Sequence, residues 1–155
     1  MTQRVELTVG VDVDAPADVA WRTVTDWPGQ SVWMLGTRVE VTSGGDGRGP
    51  GATLEAVTGV GPIGFTDPME IVEWRPPRRC VVRHTGRVVR GDGVFEVDEL
   101  GPERARVVWT ERLDLPLGAL GRAGWPVARP AFRAGVAYSL RRMARLCEAR
   151  YRSRG

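Results

Sequence analysis

From Ala52 to Leu113 the chain is a succession of strand-like segments: Ala52–Val60, Phe65–Trp74, Arg79–Arg90, Val94–Leu100 and Arg104–Leu113. Only a few turn-forming residues part them, namely Gly61-Pro62, Pro76-Pro77, Gly91-Asp92-Gly93 and Gly101-Pro102. Connections this short join antiparallel neighbours and cannot make the crossover that a parallel pair requires. The chain is thereby constrained to an antiparallel meander with one face to cover.

Upstream, Val5, Leu7, Val9, Val11 and Val13 alternate with polar residues, the period of a half-buried strand. Asp14-Ala15-Pro16 stops that strand. Ala20, Val24 and Trp27 then recur at helical spacing up to Pro28-Gly29, with a further turn running through Trp33. Thr37–Thr42, carrying Val39 and Val41, predicts a second strand, and Ser43–Gly51 a glycine-rich mobile loop. Pro116–Pro130, interrupted by proline and glycine, is ambiguous. From Pro130 onward Phe132, Val136, Leu140, Met143, Cys147 and Tyr151 repeat every three or four residues, marking one face of a long amphipathic helix. That helix is the large apolar partner available to the sheet, so the class is α+β: seven antiparallel strands, short helices after the first, and a long C-terminal helix.

Composition narrows the chemistry. A chain of 155 residues predicts one domain spanning 1–155, enough to bury roughly 68–70% of its unfolded surface. One histidine, His84, and two distant cysteines, Cys80 and Cys147, cannot assemble a zinc-type ligand set, so no metal is expected. All 22 basic residues are arginine and the net charge is only +3, well short of what a phosphate-backbone binder carries. From Arg129 on, eight arginines face one acid, Glu148. Such a face is solvated, or it touches an acidic partner or anionic surface. The N-terminus lacks the apolar core of a signal peptide and no run approaches the 18 or so residues of a membrane span. With two unpaired thiols, these features predict a cytoplasmic protein that is not embedded in a membrane. Gly59-Val60-Gly61-Pro62-Ile63-Gly64 spells a dinucleotide fingerprint, but a strand follows it where a helix is required. The Gly44–Gly51 loop lacks the lysine of a phosphate cradle. No cofactor is expected, and the sequence leaves monomer and homodimer open.

The element order, together with Val13-Asp14-Ala15-Pro16-Ala17-Asp18-Val19-Ala20-Trp21 and Glu73-Trp74-Arg75-Pro76-Pro77-Arg78, resembles the SRPBCC superfamily of START-like lipid-binding domains, pollen-type allergens and polyketide cyclases/dehydrases. The resemblance covers nearly the whole chain. It implies a helix-grip fold, a curved seven-stranded sheet wrapped around the C-terminal helix, enclosing a cavity for an apolar ligand. Its motifs are structural, so no catalytic residue is carried over.

Hairpin arithmetic places side chains on the inner face, because paired residues share a face. Turns centred on Gly61-Pro62 and Pro76-Pro77 pair Leu54 with Met69, Ala56 with Asp67 and Met69 with His84. A turn at Gly91-Asp92 pairs His84 with Glu99 and Val88 with Phe95, and a loop at Gly101–Glu103 pairs Phe95 with Trp109. His84 then sits opposite Glu99 and diagonal to Asp67, a trio suited to general acid/base chemistry or to anchoring a polar group. Ala56 and Gly86 leave a hollow, with Phe65, Phe95 and Trp109 as an aromatic wall. On this register Glu111 lies roughly 20 Å along the sheet from His84, at about 3.3 Å per residue, beside an inward Arg90. Trp33 near the mouth, and Phe132, Val136 and Leu140 on the helix, complete the expected ligand contacts. Three functions follow as expectations: binding of a small hydrophobic molecule, lipid or polyketide-like; a polyketide cyclase/dehydratase using His84 with Asp67 or Glu99; or a partner-binding role for the basic helix.

Overall fold

The computed structural model describes residues 4–87, 89–115 and 118–154. Strand β1 (Arg4–Val13) alternates as its sequence dictates, burying Leu7, Val9 and Val13. Helix α1 (Ala17–Val24) starts directly after Pro16, whose extended backbone sets its entry, and buries Val19, Ala20, Thr23 and Val24. The one-turn α2 (Gln30–Trp33) follows, then β2 (Thr37–Ser43), β3 (Thr53–Val60), β4 (Ile63–Arg75), β5 (Arg79–His84), β6 (Gly91–Gly101) and β7 (Arg104–Asp114). Helix α3 (Gly118–Arg152) closes the chain. Among the described residues no helix is long and apolar enough to cross a membrane.

The sheet order is β1-β7-β6-β5-β4-β3-β2, every pair antiparallel. The first two strands are therefore the two edges, and α1 and α2 carry the chain from one to the other. Helix α3 packs along β1, α1 and α2, burying Val136, Ser139, Leu140, Met143, Ala144 and Cys147. This is the curved antiparallel sheet and long C-terminal helix of the helix-grip fold. The outer face is open to water and laced by cross-strand ion pairs such as Arg83–Asp92, Arg106–Asp12 and Arg112–Glu6. Among the described residues six of the 22 arginines, Arg4, Arg79, Arg83, Arg104, Arg106 and Arg112, pair with acids on neighbouring strands.

Three sequence expectations change. First, the ambiguous stretch before Pro130 is helical from Gly118, the residues before it lying outside the described ones, and Pro126 and Pro130 sit inside the helix. Both are exposed, so carbonyls that lose a backbone partner one turn earlier face water. Second, the glycine-rich loop, expected to be mobile, is tied to the core, with Trp27 Nε1 donating to the Gly47 carbonyl at 2.9 Å and Gly51 N to that of Ile71 at 2.8 Å.

The third change decides the site. Strand β5 ends at His84, where the Pro68 carbonyl accepts bonds from both the backbone N–H and the hydroxyl of Thr85. Residues 85–87, 89 and 90 lie outside the strands, and Gly91-Asp92-Gly93 is the start of β6, not a turn. His84 pairs with Gly91, Val82 with Gly93 and Cys80 with Phe95. The partner of His84 has moved eight residues along β6, from Glu99 to Gly91. The expected partner Val88 lies outside the described residues. The other registers, Leu54 with Met69, Met69 with His84 and Phe95 with Trp109, are as the hairpin arithmetic gives them.

Gly91 holds this junction at φ +120°, where a Cβ would run into the Arg112 carbonyl oxygen of β7. Gly91→Ala is expected to destabilise the protein by about 2 kcal/mol or more, from backbone strain plus collision with fixed backbone. A urea midpoint within error of the parent protein would refute that assignment.

Candidate functional site

Between the sheet and α3 lies a cavity of about 380 Å³, within the range of small-molecule sites. Leu54, Ala56, Met69, Phe95 and Trp109 line it from the sheet, Phe65 from the β3–β4 hairpin, and Phe132 and Val136 from α3. Three expected contacts are elsewhere. Trp33 is fully buried behind the wall, edge-on to Trp109 with ring centroids 6.2 Å apart. Leu140 is core beneath α3, and Gly86 lies in the 85–90 connection with Pro68 beside it. Lining residues not anticipated include Gln30, Met34, Leu35, Val82, Val89 and Ser139. Their signals were slight: α2 is a single turn, and Val89 follows the strand that ended early.

One wall carries the charged groups. His84 Nδ1 lies 2.8 Å from Asp67 Oδ2, and its Nε2 lies 3.2 Å from Glu111 Oε2. Trp109 Nε1 donates to Glu111 Oε1 at 2.8 Å. The three titratable side chains are 6–12% exposed. Asp67 Oδ1 is buried and lacks a hydrogen-bond partner.

The backbone explains how residues from β4, β5 and β7 meet. His84 is the last residue of β5, and Asp67 on β4 lies just past its end, so the two converge diagonally. Glu111 is two strands away, yet the intervening β6 presents glycine at 91 and 93. A Cβ at Gly93 would stand 3.2 Å from Glu111 Oε1 and 3.1 Å from Val82 Cγ2. The missing side chain is the gap through which Glu111 reaches the imidazole.

The remaining sequence assignments are corrected accordingly. Glu99 is more than half exposed, facing Arg78 on the outer rim, and has no part in the cluster. Arg90 is exposed and does not pair with Glu111, and Glu111 is not remote from His84 but bonded to it. Both errors follow from the β5–β6 register.

Burial is the largest influence on His84 and disfavours its charge. The hydrogen bonds to Asp67 and Glu111 and the negative charge of both outweigh it, so the pKa is raised to about 10. The imidazole is therefore held as a cation at neutral pH, donating from both nitrogens. A raised folded-state pKa stabilises the fold fully below the unfolded value near 6.5, and that contribution is lost as pH climbs towards about 10. Urea stability should fall across this window, by at most about 1.4 kcal/mol per pH unit for one proton. Glu111→Gln, by removing one of the two charges, should bring the end of the fall to lower pH. A flat profile in the parent protein would contradict the arrangement.

Comparison with known proteins follows the same lines. Among curated proteins no match was found. The Zhui aromatase/cyclase of a Streptomyces species superposes with a TM-score of 0.80 at 20% identity, over 99% of both chains. A protein of Thermus thermophilus gives 0.78 at 18% identity, over 94% of this chain and 98% of that one. A START superfamily protein of Mycobacterium smegmatis gives 0.67 at 14% identity, over 97% and 99%. At these identities the likeness is one of fold. Residues 4–148 match the family described as polyketide cyclase/dehydrase and lipid transport, and with that match spanning nearly the whole helix-grip structure, the chain belongs to this family of the SRPBCC superfamily.

Proposed function

We propose that this protein binds a small, largely apolar molecule between the sheet and α3, with Asp67, His84 and Glu111 as the polar anchor. The observation that carries the reading is the contrast within one cavity. Most of its wall is aliphatic or aromatic, and a single cluster of charged side chains interrupts it. Other polar residues reach the wall but are committed to the protein. Gln30 donates to the Val24 carbonyl, Ser139 Oγ accepts from Leu35 N, and the hydroxyls of Thr37 and Thr58 bond each other. Membership of a family that includes lipid transport supports the same reading.

The test is uptake of an apolar fluorophore and its displacement by lipid extract. Ala56 lines the cavity opposite Asp67, so Ala56→Leu should occupy ligand space and weaken dye binding by about tenfold, near 1.4 kcal/mol. Its cost in fold stability should stay within about 1–3 kcal/mol. No uptake by the parent protein, or equal uptake by the variant, would remove the reading.

A second reading, a polyketide cyclase/dehydratase, is favoured by one observation: a protonated imidazole buried at the edge of an apolar cavity is a proton donor placed beside whatever binds there. His84 would then serve as general acid, oriented by Asp67. His84→Gln should abolish turnover of a polyketide-type substrate while dye affinity changes by less than about threefold, under 1 kcal/mol. Undiminished turnover would exclude it.

A further inference from the structure

The charge of the cavity does not match that of the chain around it. The protein has 22 arginines, yet among the described residues none lines the cavity, whose ionisable groups are Asp67, His84 and Glu111. Two carboxylates face one imidazole. Even with both ring nitrogens protonated, the cluster keeps one surplus negative charge. Among largely apolar neighbours that surplus is expensive to leave uncompensated. Beside it, Asp67 Oδ1 is buried without a hydrogen-bond partner, on a side chain only 10% exposed that belongs to the cavity wall.

From this geometry we infer that the ligand is a cationic amphiphile, an aromatic or otherwise apolar body carrying a protonated amine that seats against Asp67 and Glu111. The inference rests on the cavity-binding reading above and names the class of molecule. One ammonium would bring the cluster of two carboxylates and an imidazolium to zero formal charge. Its N–H groups would meet Asp67 Oδ1, and its remaining bonds the Glu111 carboxylate. Trp109, whose indole nitrogen is 2.8 Å from Glu111, places an aromatic ring beside that position, and Phe95 packs against it, tilted by 43°, with centroids 5.2 Å apart. Carboxylate and phosphate head groups are disfavoured by the same arithmetic, because they would add negative charge where no arginine answers it.

The experiment titrates three probes with one ring system at pH 7: naphthylmethylamine, naphthylmethanol and naphthoate. The amine should bind at least about tenfold tighter than the alcohol, and naphthoate weakest. In Asp67→Asn the amine's advantage should shrink towards unity while the alcohol still binds. If that variant fails to fold, Glu111→Gln and the ordering in the parent protein carry the test. Naphthoate binding as tightly as the amine would overturn the inference. Alcohol and amine binding equally would overturn it alone and leave the cavity reading standing. If none of the three binds, the inference falls, and uptake of the apolar fluorophore decides whether the cavity reading falls with it.

Discussion

An imidazole clamped between two buried carboxylates imposes its terms on the sheet. Each group alone would be costly to take out of water, and removing one member of such a set leaves the others uncompensated. The three come from β4, β5 and β7, so they are satisfied together only in one alignment of those strands. A one-residue slip of β5 would turn His84 outward and strand Asp67 and Glu111 on the cavity wall. The cluster therefore acts as a register lock as well as a candidate site. The glycines at 91 and 93 belong to it as much as the charged residues do, since a side chain at 93 would crowd both Glu111 and Val82.

What the sequence revealed, and what it hid, divides along a physical line. Which side chains face inward depends on parity, and parity survives any even error in register. His84, Asp67, Glu111, Phe95 and Trp109 were all legible as inner-face residues even though the β5–β6 turn was misplaced. How far along the strands they sit depends on where the turn falls. There the sequence offered a false cue: Gly91-Asp92-Gly93 has the composition of a hairpin turn, and Val88-Val89 that of a strand. The true strand end is set by Thr85 bonding the Pro68 carbonyl, a contact across 17 positions that no local pattern encodes.

Helix α3 shows a related limit. Its buried face from Val136 to Cys147 follows from spacing alone, whereas Pro126 and Pro130 argue locally against a helix they do not break. Proline is costly where the carbonyl it orphans is buried. On this exposed segment water replaces the lost bonds, so the chain continues helically past the point at which its sequence turns ambiguous. The α3 residues that line the cavity, from Ala131 to Ser139, all lie beyond Pro130, in the part of the helix that its spacing predicts.

The cluster's internal bonding also bears on recognition against proton transfer. A histidine acting as a base needs a nitrogen with a free lone pair, and one acting as an acid needs an N–H directed at substrate. Here both nitrogens are engaged by carboxylates, and the high pKa that results makes the imidazolium reluctant to release its proton near neutrality. Proton transfer to a ligand would first require breaking one of those bonds. Recognition requires no such step: the surplus negative charge is present with both His84 bonds intact, and Asp67 Oδ1 is unpartnered. The geometry thus weighs towards a cluster that selects and orients its ligand, with chemistry at His84 accessible only if the bound molecule itself displaces a carboxylate.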